Sequence, residues 1–139
     1  MKKVMMILAI VLIYSCSFAG TPPKAVSDAF MKKFNAATKV SWGKEGPKEW
    51  EAEFTLNGEK ISANFNQDGT WLETEQEINA ANLPAEVLSN VKMKYAAWKI
   101  VEADKTETAK HGTIYEVDLK KGLKSKSLAF KADGTEVKE

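Results

Sequence analysis

The sequence predicts an α+β fold built from two tandem duplicated units, each one helix packed on a four-stranded antiparallel sheet. Three observations lead there. A stretch of helical periodicity gives way to strict alternation, and this succession occurs twice along the chain. The segment Phe65-Asn66-Gln67-Asp68-Gly69-Thr70-Trp71 returns 65 positions later as Phe130-Lys131-Ala132-Asp133-Gly134-Thr135-Glu136. An Asp-Gly pair after an alternating strand signals a hairpin, because Gly takes positive φ freely and Asp tolerates it. Finally, apolar positions of the two halves match one to one.

The first 19 residues stand apart from this pattern. Lys2-Lys3 precede an apolar run from Val4 to Tyr14, the n-region and h-region of a secretory signal peptide. The run is shorter than the roughly 20 residues that span a bilayer. Ser17-Phe18-Ala19 predicts cleavage after Ala19, leaving a periplasmic or secreted product with no membrane span. Cys16, just behind the apolar run, offers a competing lipoprotein reading. Without Lys2 and Lys3 the 20 basic residues fall to 18, against 19 acidic ones, a net of −1. There is no Arg. That balance argues against a nucleic-acid partner. No Cys follows Cys16, so neither disulfides nor a thiol nucleophile enters any mechanism.

Thr21 can cap a helix and Pro22-Pro23 suit its first turn. Val26, Phe30 and Phe34 then recur at four-residue spacing, with Met31 and Ala37 alongside, for a helix of about 13 residues. Val40 and Trp42 begin a short strand ended by Gly43 and Gly46-Pro47. Trp50, Ala52, Phe54 and Leu56 alternate with Glu51, Glu53 and Thr55, the clearest strand in the chain. Asn57-Gly58 turns it, Ile61, Ala63 and Phe65 return, and Asp68-Gly69 turns again into a fourth strand from Trp71. Glu73 to Asn82 reads as the end of that strand running into a linker.

Leu83-Pro84 restarts the series. Val87, Leu88, Val91 and Tyr95 give a second helical stripe from Pro84 to about Ala96. Trp98, Ile100 and Val101 follow as a strand, and Asp104 to Gly112 reads as a loop. Tyr115, Val117 and Leu119 alternate, Lys121-Gly122 turns, and Leu128 and Phe130 return. Pro23, Val26, Phe30 and Phe34 match Pro84, Val87, Val91 and Tyr95 at an offset of 61, whereas Trp50 to Phe54 match Tyr115 to Leu119 at 65. The four extra residues fall in the predicted loop. Residues 1–19 are thus a leader, 20–78 one unit and 79–139 the other, the two units forming one compact domain.

Helices on one face of each sheet leave the other open. That open face is predicted to carry Glu51, Glu53, Thr55, Ser62 and Asn64 in the first unit, and Glu116, Asp118, Lys120, Ser127 and Lys131 in the second.

A leader followed by "TPPKAVSDAFMKKF", the Trp42 strand, the Trp/Tyr-Glu-x-Glu/Asp strand, the Phe-x-x-Asp-Gly hairpin and the Leu-Pro restart resembles the beta-lactamase-inhibitor-like, PepSY-like domain family. Its members are mostly exported proteins of Bacteroidetes-type bacteria. The resemblance covers residues 22–137. It implies tandem helix-plus-four-strand units like those of the beta-lactamase inhibitory protein, and no established activity. In that inhibitor a sheet surface grips the target enzyme, but no inhibitory motif can be matched here residue by residue.

Asn64-x-Asn66-x-Asp68-Gly69 with Glu75 at the twelfth position nearly fits a Ca²⁺-binding loop. Its flanks alternate as strands where that loop needs helices, and the repeat has Ala129 and Lys131 in place of Asn64 and Asn66, so the reading is a structural hairpin. His111, the sole histidine, lies in the predicted loop without a partner for zinc or for general-base work. No catalytic, metal-binding or cofactor-binding residue is expected. Trp50 and Trp98 fall on core positions. Trp42 and Trp71, at strand ends, are candidate anchors for a partner, as are Glu51, Glu53, Glu116 and Asp118 on the open face. The expected function is a non-enzymatic exported binding protein that takes a protein or peptide partner of the cell envelope through the open face or loops. The alternative is a small ligand, a glycan or a cofactor, in the cleft between the units. Edge strands offer a route to a homodimer.

Overall fold

A computed structural model describes residues 20–137. The predicted leader, with its cleavage site and Cys16, lies outside the described residues. Helix α1 (Lys24–Lys33) is followed by β1 (Thr38–Lys44), β2 (Glu49–Leu56), β3 (Glu59–Asn66) and β4 (Trp71–Glu77). A short 3-10 turn at Ala80–Asn82 leads to α2 (Ala85–Lys94), and β5 (Lys99–Thr108), β6 (Gly112–Lys121) and β7 (Lys124–Phe130) complete the order. All seven strands form one antiparallel sheet in sequential order.

The single sheet corrects the expected pair of four-stranded sheets. Among the described residues after β7, an isolated bridge, Phe130 to Glu136, stands where a further strand was expected. The predicted linker is also corrected: β4 runs on to Glu77 and pairs with β5, Glu73 opposite Thr108 and Glu77 opposite Asp104. The predicted loop from Asp104 to Gly112 is mostly strand, with the turn confined to residues 109–111. The four extra residues therefore lengthen the β5–β6 hairpin, whose strands have 10 residues each against 7 and 8 in β1 and β2. The added length gives β4 a partner. Its backbone N–H and C=O groups would otherwise need water or another chain, and the extension satisfies them within the fold.

Both helices are shorter than predicted, 10 residues each, because the prolines occupy the N-cap positions and not the first turn. Thr21 does not cap α1; Pro23 holds that position with no side-chain cap. Each helix buries a valine and a residue one turn on. Val26 and Phe30 of α1 sit with Ala52, Phe54, Ala63 and Phe65. Val87 and Val91 of α2 sit with Ala103, Val117, Leu119, Leu128 and Phe130. Phe30 meets four aromatic rings, those of Phe34, Trp42, Phe54 and Phe65, at centroid separations of 5.4, 5.2, 5.0 and 6.3 Å. Edge and tilted contacts of this kind suit the ring quadrupoles and add to the area buried. Met31, placed beside the stripe by its spacing, is exposed, as are Val40 and Val101.

The Asp-Gly turns brace the helices. In each, the Asp side chain accepts a hydrogen bond from the backbone N–H two residues on, Thr70 to Asp68 at 2.8 Å and Thr135 to Asp133 at 2.9 Å. Charge-stabilising hydrogen bonds hold both carboxyls below the usual range. The sheet's outer strands are unfavourable for pairing with another chain. β1 carries an irregularity between Thr38 and Ser41, with Lys39 in the left-handed region, and β7 presents Lys124 and Lys126.

Candidate functional site: the acidic face of the sheet

Alternation assigns each strand residue to one of two faces. The core residues Ala52, Phe54, Ala63, Phe65, Ala103, Val117 and Leu119 mark the helix-covered face. The intervening residues point the other way. β2 sends Glu49, Glu51 and Glu53 to the open face, and β4 sends Glu73, Glu75 and Glu77. β5 adds Glu102 and Asp104, and β6 adds Glu116 and Asp118. The ladders put them in rows: Glu51, Asn64 and Glu73; Glu53, Ser62 and Glu75; Glu77, Asp104 and Glu116; Glu102, Asp118 and Ser127. Three lysines reach this face from the strands β2 to β6, Lys60 at one end of the β2–β3 ladder and the facing pair Lys99 and Lys120 at one end of the β5–β6 ladder. A chain nearly neutral overall thus gathers carboxylates on one side. Lys24, Lys32, Lys33, Lys92 and Lys94 ride on the helices.

Crowding shows in the proton affinities. Glu75 is pushed up to about 8, first by burial, then by the charges of Glu116, Glu73, Asp104 and Glu51. Glu51 rises to about 7 through burial and then Glu45, Glu53 and Glu49. Asp104 rises to about 6 through burial and then Glu102, Glu77 and Asp118. Glu102 is raised for the same reasons, burial first and Asp118 next. Near neutral pH part of this cluster therefore carries protons.

At the centre, Glu75 stands across from Thr106, which stands across from Ile114. Thr106 is fully buried (0 % exposed) and Ile114 nearly so (5 %), although neither belongs to the two core clusters beneath the helices. The Thr106 hydroxyl has no hydrogen-bond partner. Such a buried, unpaired polar group is uncommon in folded proteins.

The expected site residues divide. Glu51, Glu53, Glu116 and Asp118 all lie on the open face. Glu51 and Glu53, together with Trp42, also line a surface pocket of about 240 Å³ near Gly20 and Val40. Neither tryptophan ring joins the acidic side chains: Trp42, opposite Ala52, packs in the first core cluster 5.2 Å from Phe30. The Trp71 ring packs on the same cluster, its Nε1 donates to Thr74 Oγ1 at 3.0 Å, and Lys33 Nζ lies 3.9 Å over its face. Lys131, expected on the open face, follows the end of β7. A second pocket of about 280 Å³ lies at Lys99, Val101 and Lys120, between the start of β5 and the end of β6. Where a cleft between two units was expected, β4 and β5 pair directly.

Sequence reading missed the centre of the face. Glu73, Glu75 and Glu77 were expected to fade into a linker, and Asp104 and Thr106 to lie in a loop. The period-two spacing of Glu73, Glu75 and Glu77, and of Asp104, Thr106 and Thr108, is the signal that marks them. The Ca²⁺-loop residues are engaged otherwise. Asn64 Nδ2 donates to Glu49 Oε1 at 3.1 Å, and Asp68 Oδ1 takes the Thr70 N–H. Among the described residues no group of three or more His, Cys, Asp or Glu side chains could hold a metal ion. His111 lies in the turn, its backbone N–H donating to Thr108 Oγ1 at 2.9 Å. Among the described residues no helix is long and apolar enough to cross a membrane.

Residues 48–136 match the model of a family described as "Putative beta-lactamase-inhibitor-like, PepSY-like". No curated protein matches the chain. Among solved structures, the chain is similar to a BLIP-like protein from Bacteroides fragilis, at 27% identity and a TM-score of 0.75, covering 86% of this chain and 85% of that one. A DUF2874 family protein from Bacteroides ovatus is 24% identical with a TM-score of 0.76, over 86% of each chain. A Bacteroides eggerthii structure named for "putative periplasmic proteins" is 17% identical with a TM-score of 0.75, over 86% of this chain and 88% of that one. The last two speak for the fold alone.

Proposed function

Because the chain belongs to the beta-lactamase-inhibitor-like, PepSY-like family, we propose that it is an exported, non-enzymatic binding protein whose partner is a protein or peptide of the cell envelope. The open face of the sheet is the docking surface. The observation that carries this reading is the gathering of acidic side chains on the face that neither helix covers, while the apolar groups pack beneath the helices. A scaffold stabilised from one side leaves the other free to be shaped for recognition. Glu51, Glu53, Glu116 and Asp118 contribute to it; Trp42 and Trp71 both serve the first core cluster. The likeness to a BLIP-like protein supports binding over catalysis.

Export is supported by the Lys2-Lys3 leader pattern. Cleavage after Ala19 yields a soluble protein, and mass analysis of the N-terminus distinguishes it from a chain acylated at Cys16. The two units, 20–78 and 79–139, are read as products of a duplication that the longer β5–β6 hairpin later joined into one sheet.

The test is capture of partners from envelope extracts by the tagged protein and by two variants, Ser62→Trp and Ser127→Trp, that place bulk on the open face. A protein retained by the parent and lost from both folded variants is the expected result. An identical captured set for all three would sink the assignment of the open face.

A further inference from the structure

We propose that the tip of the β6–β7 hairpin is a contact site for an anionic lipid bilayer, with Leu123 entering the interface and the lysines around it meeting the headgroups. This contact is separate from the open-face binding role and does not rest on it. Lys121-Gly122-Leu123-Lys124 closes the hairpin, and Leu123 at its tip is wholly exposed (104 %), more so than any other large apolar residue among those described. Lys99 stands opposite Lys120, and Lys121 opposite Lys124. Like charges directly opposite each other destabilise a sheet. None of these four lysines forms an ion pair among the described residues. Alternation puts Lys99 and Lys120 on the open face and Lys121 and Lys124 on the helix side, so positive charge borders the end of the sheet on both faces. Val101, also exposed, lines a surface pocket of about 280 Å³ with Lys99, Lys120 and Lys121.

The fold does not need this composition. The hairpin 65 positions earlier, between β2 and β3, closes with Asn57-Gly58-Glu59. There Leu56 stands where β6 has Lys121, and packs on the first core cluster. That hairpin has no apolar side chain at its tip and no facing pair of lysines. The β6–β7 hairpin thus carries unrelieved charge and an apolar group in water, both of which a partner can remove. An anionic bilayer removes both. Each lysine held near such a surface strengthens binding by about fivefold. The interface also takes Leu123 and Val101 out of water, whereas a soluble polyanion would answer the charges alone. Glu102 and Asp118, the next open-face pair of the β5–β6 ladder, are acidic. Anionic headgroups repel them, which limits the contact to the end of the sheet.

The test is flotation of the processed protein, its N-terminus verified by mass, with vesicles of phosphatidylcholine alone or with about one-third phosphatidylglycerol, at low and at physiological salt. The parent is compared with Lys121→Gln/Lys124→Gln, with Leu123→Ser, and with the control Lys24→Gln/Lys32→Gln, which removes two exposed lysines of α1. All of these change exposed side chains, and circular dichroism verifies that the variants fold. The expected result is binding to the phosphatidylglycerol vesicles only, weakened about tenfold or more in the hairpin double variant, about threefold in Leu123→Ser and less than about twofold in the control. Absence of binding to anionic vesicles at low salt, or equal losses in the double variant and the control, would overturn the proposal. So would equal binding to both kinds of vesicle that no substitution changes, the behaviour of a chain anchored through an acylated Cys16. If Leu123→Ser binds as the parent does, charge acts alone and the bilayer contact falls, with displacement by polyglutamate identifying a soluble polyanion as the ligand. None of these substitutions touches the open face, so capture through that face stands or falls by its own test.

Discussion

A Cβ placed on Gly69 would stand 2.6 Å from the carbonyl oxygen of Ala25, closer than real Cβ atoms come to any neighbour. The β3–β4 turn thus rests directly on the first turn of α1. Gly134 makes the corresponding contact with the Glu86 carbonyl of α2, at 2.9 Å. Both glycines also have positive φ, +89° and +80°.

Gly69→Ala is therefore expected to destabilise by about 3 kcal/mol or more, combining backbone strain with a clash that meets main chain and not a flexible side chain. Gly58→Ala is the comparison. It shares a φ of +89° but has nothing within 4 Å, so only the strain, about 1 kcal/mol, applies. Urea unfolding of the two variants measures the difference. Equal losses would show that the close approach to α1 contributes nothing.

Phe30→Ala is expected to cost about 3–5 kcal/mol, since it removes the ring that joins α1 to four other aromatics beneath the sheet. The adjacent Met31→Ala should change stability by less than about 0.5 kcal/mol, because that side chain is exposed. Denaturant midpoints for the pair test whether the helical stripe was assigned correctly.

Stability should rise as pH falls from alkaline to mildly acidic values. Glu51, Glu75 and Asp104 have native values of about 7, 8 and 6, above their ordinary 4.5, 4.5 and 3.8, so between those limits the native state binds more protons than the unfolded chain. Their stabilising contribution is complete below the ordinary values and lost as pH rises through the native ones. After allowing for solvent screening the gain is about 2 kcal/mol, roughly 5 °C in Tm. The lowered values of Asp68 and Asp133 act only at lower pH, where protonation costs stability. Melts from about pH 8.5 to about pH 5 read the effect, and Glu75→Gln should flatten the curve. A Tm that climbs with pH across this range would refute the crowding.

Thr106→Val should stabilise the isolated protein by about 1 kcal/mol, because it replaces a buried unpaired hydroxyl with a methyl of similar shape. Thermal melts decide the point. A loss of stability would show that the hydroxyl is satisfied in solution.

The sequence by itself determined the local order of this protein. Val26 and Phe30, and Val87 and Val91, name the buried stripes of two helices, and the alternation from Trp50 to Leu56 names both faces of β2. Two Asp-Gly pairs locate the turns, since their conformations depend on the residues themselves. Glu51, Glu53, Glu116 and Asp118 were legible as open-face residues for the same reason. Tertiary structure decided which strands become neighbours. Glu73 to Glu77 looks like a solvated linker until β5 arrives, because alternation identifies a face and carries no information about a pairing partner more than 25 residues away in the chain. That pairing merges two expected sheets into one and extends the acidic face across the join. It also places Thr106 opposite Glu75, and brings together carboxylates whose crowding exists only in the folded chain.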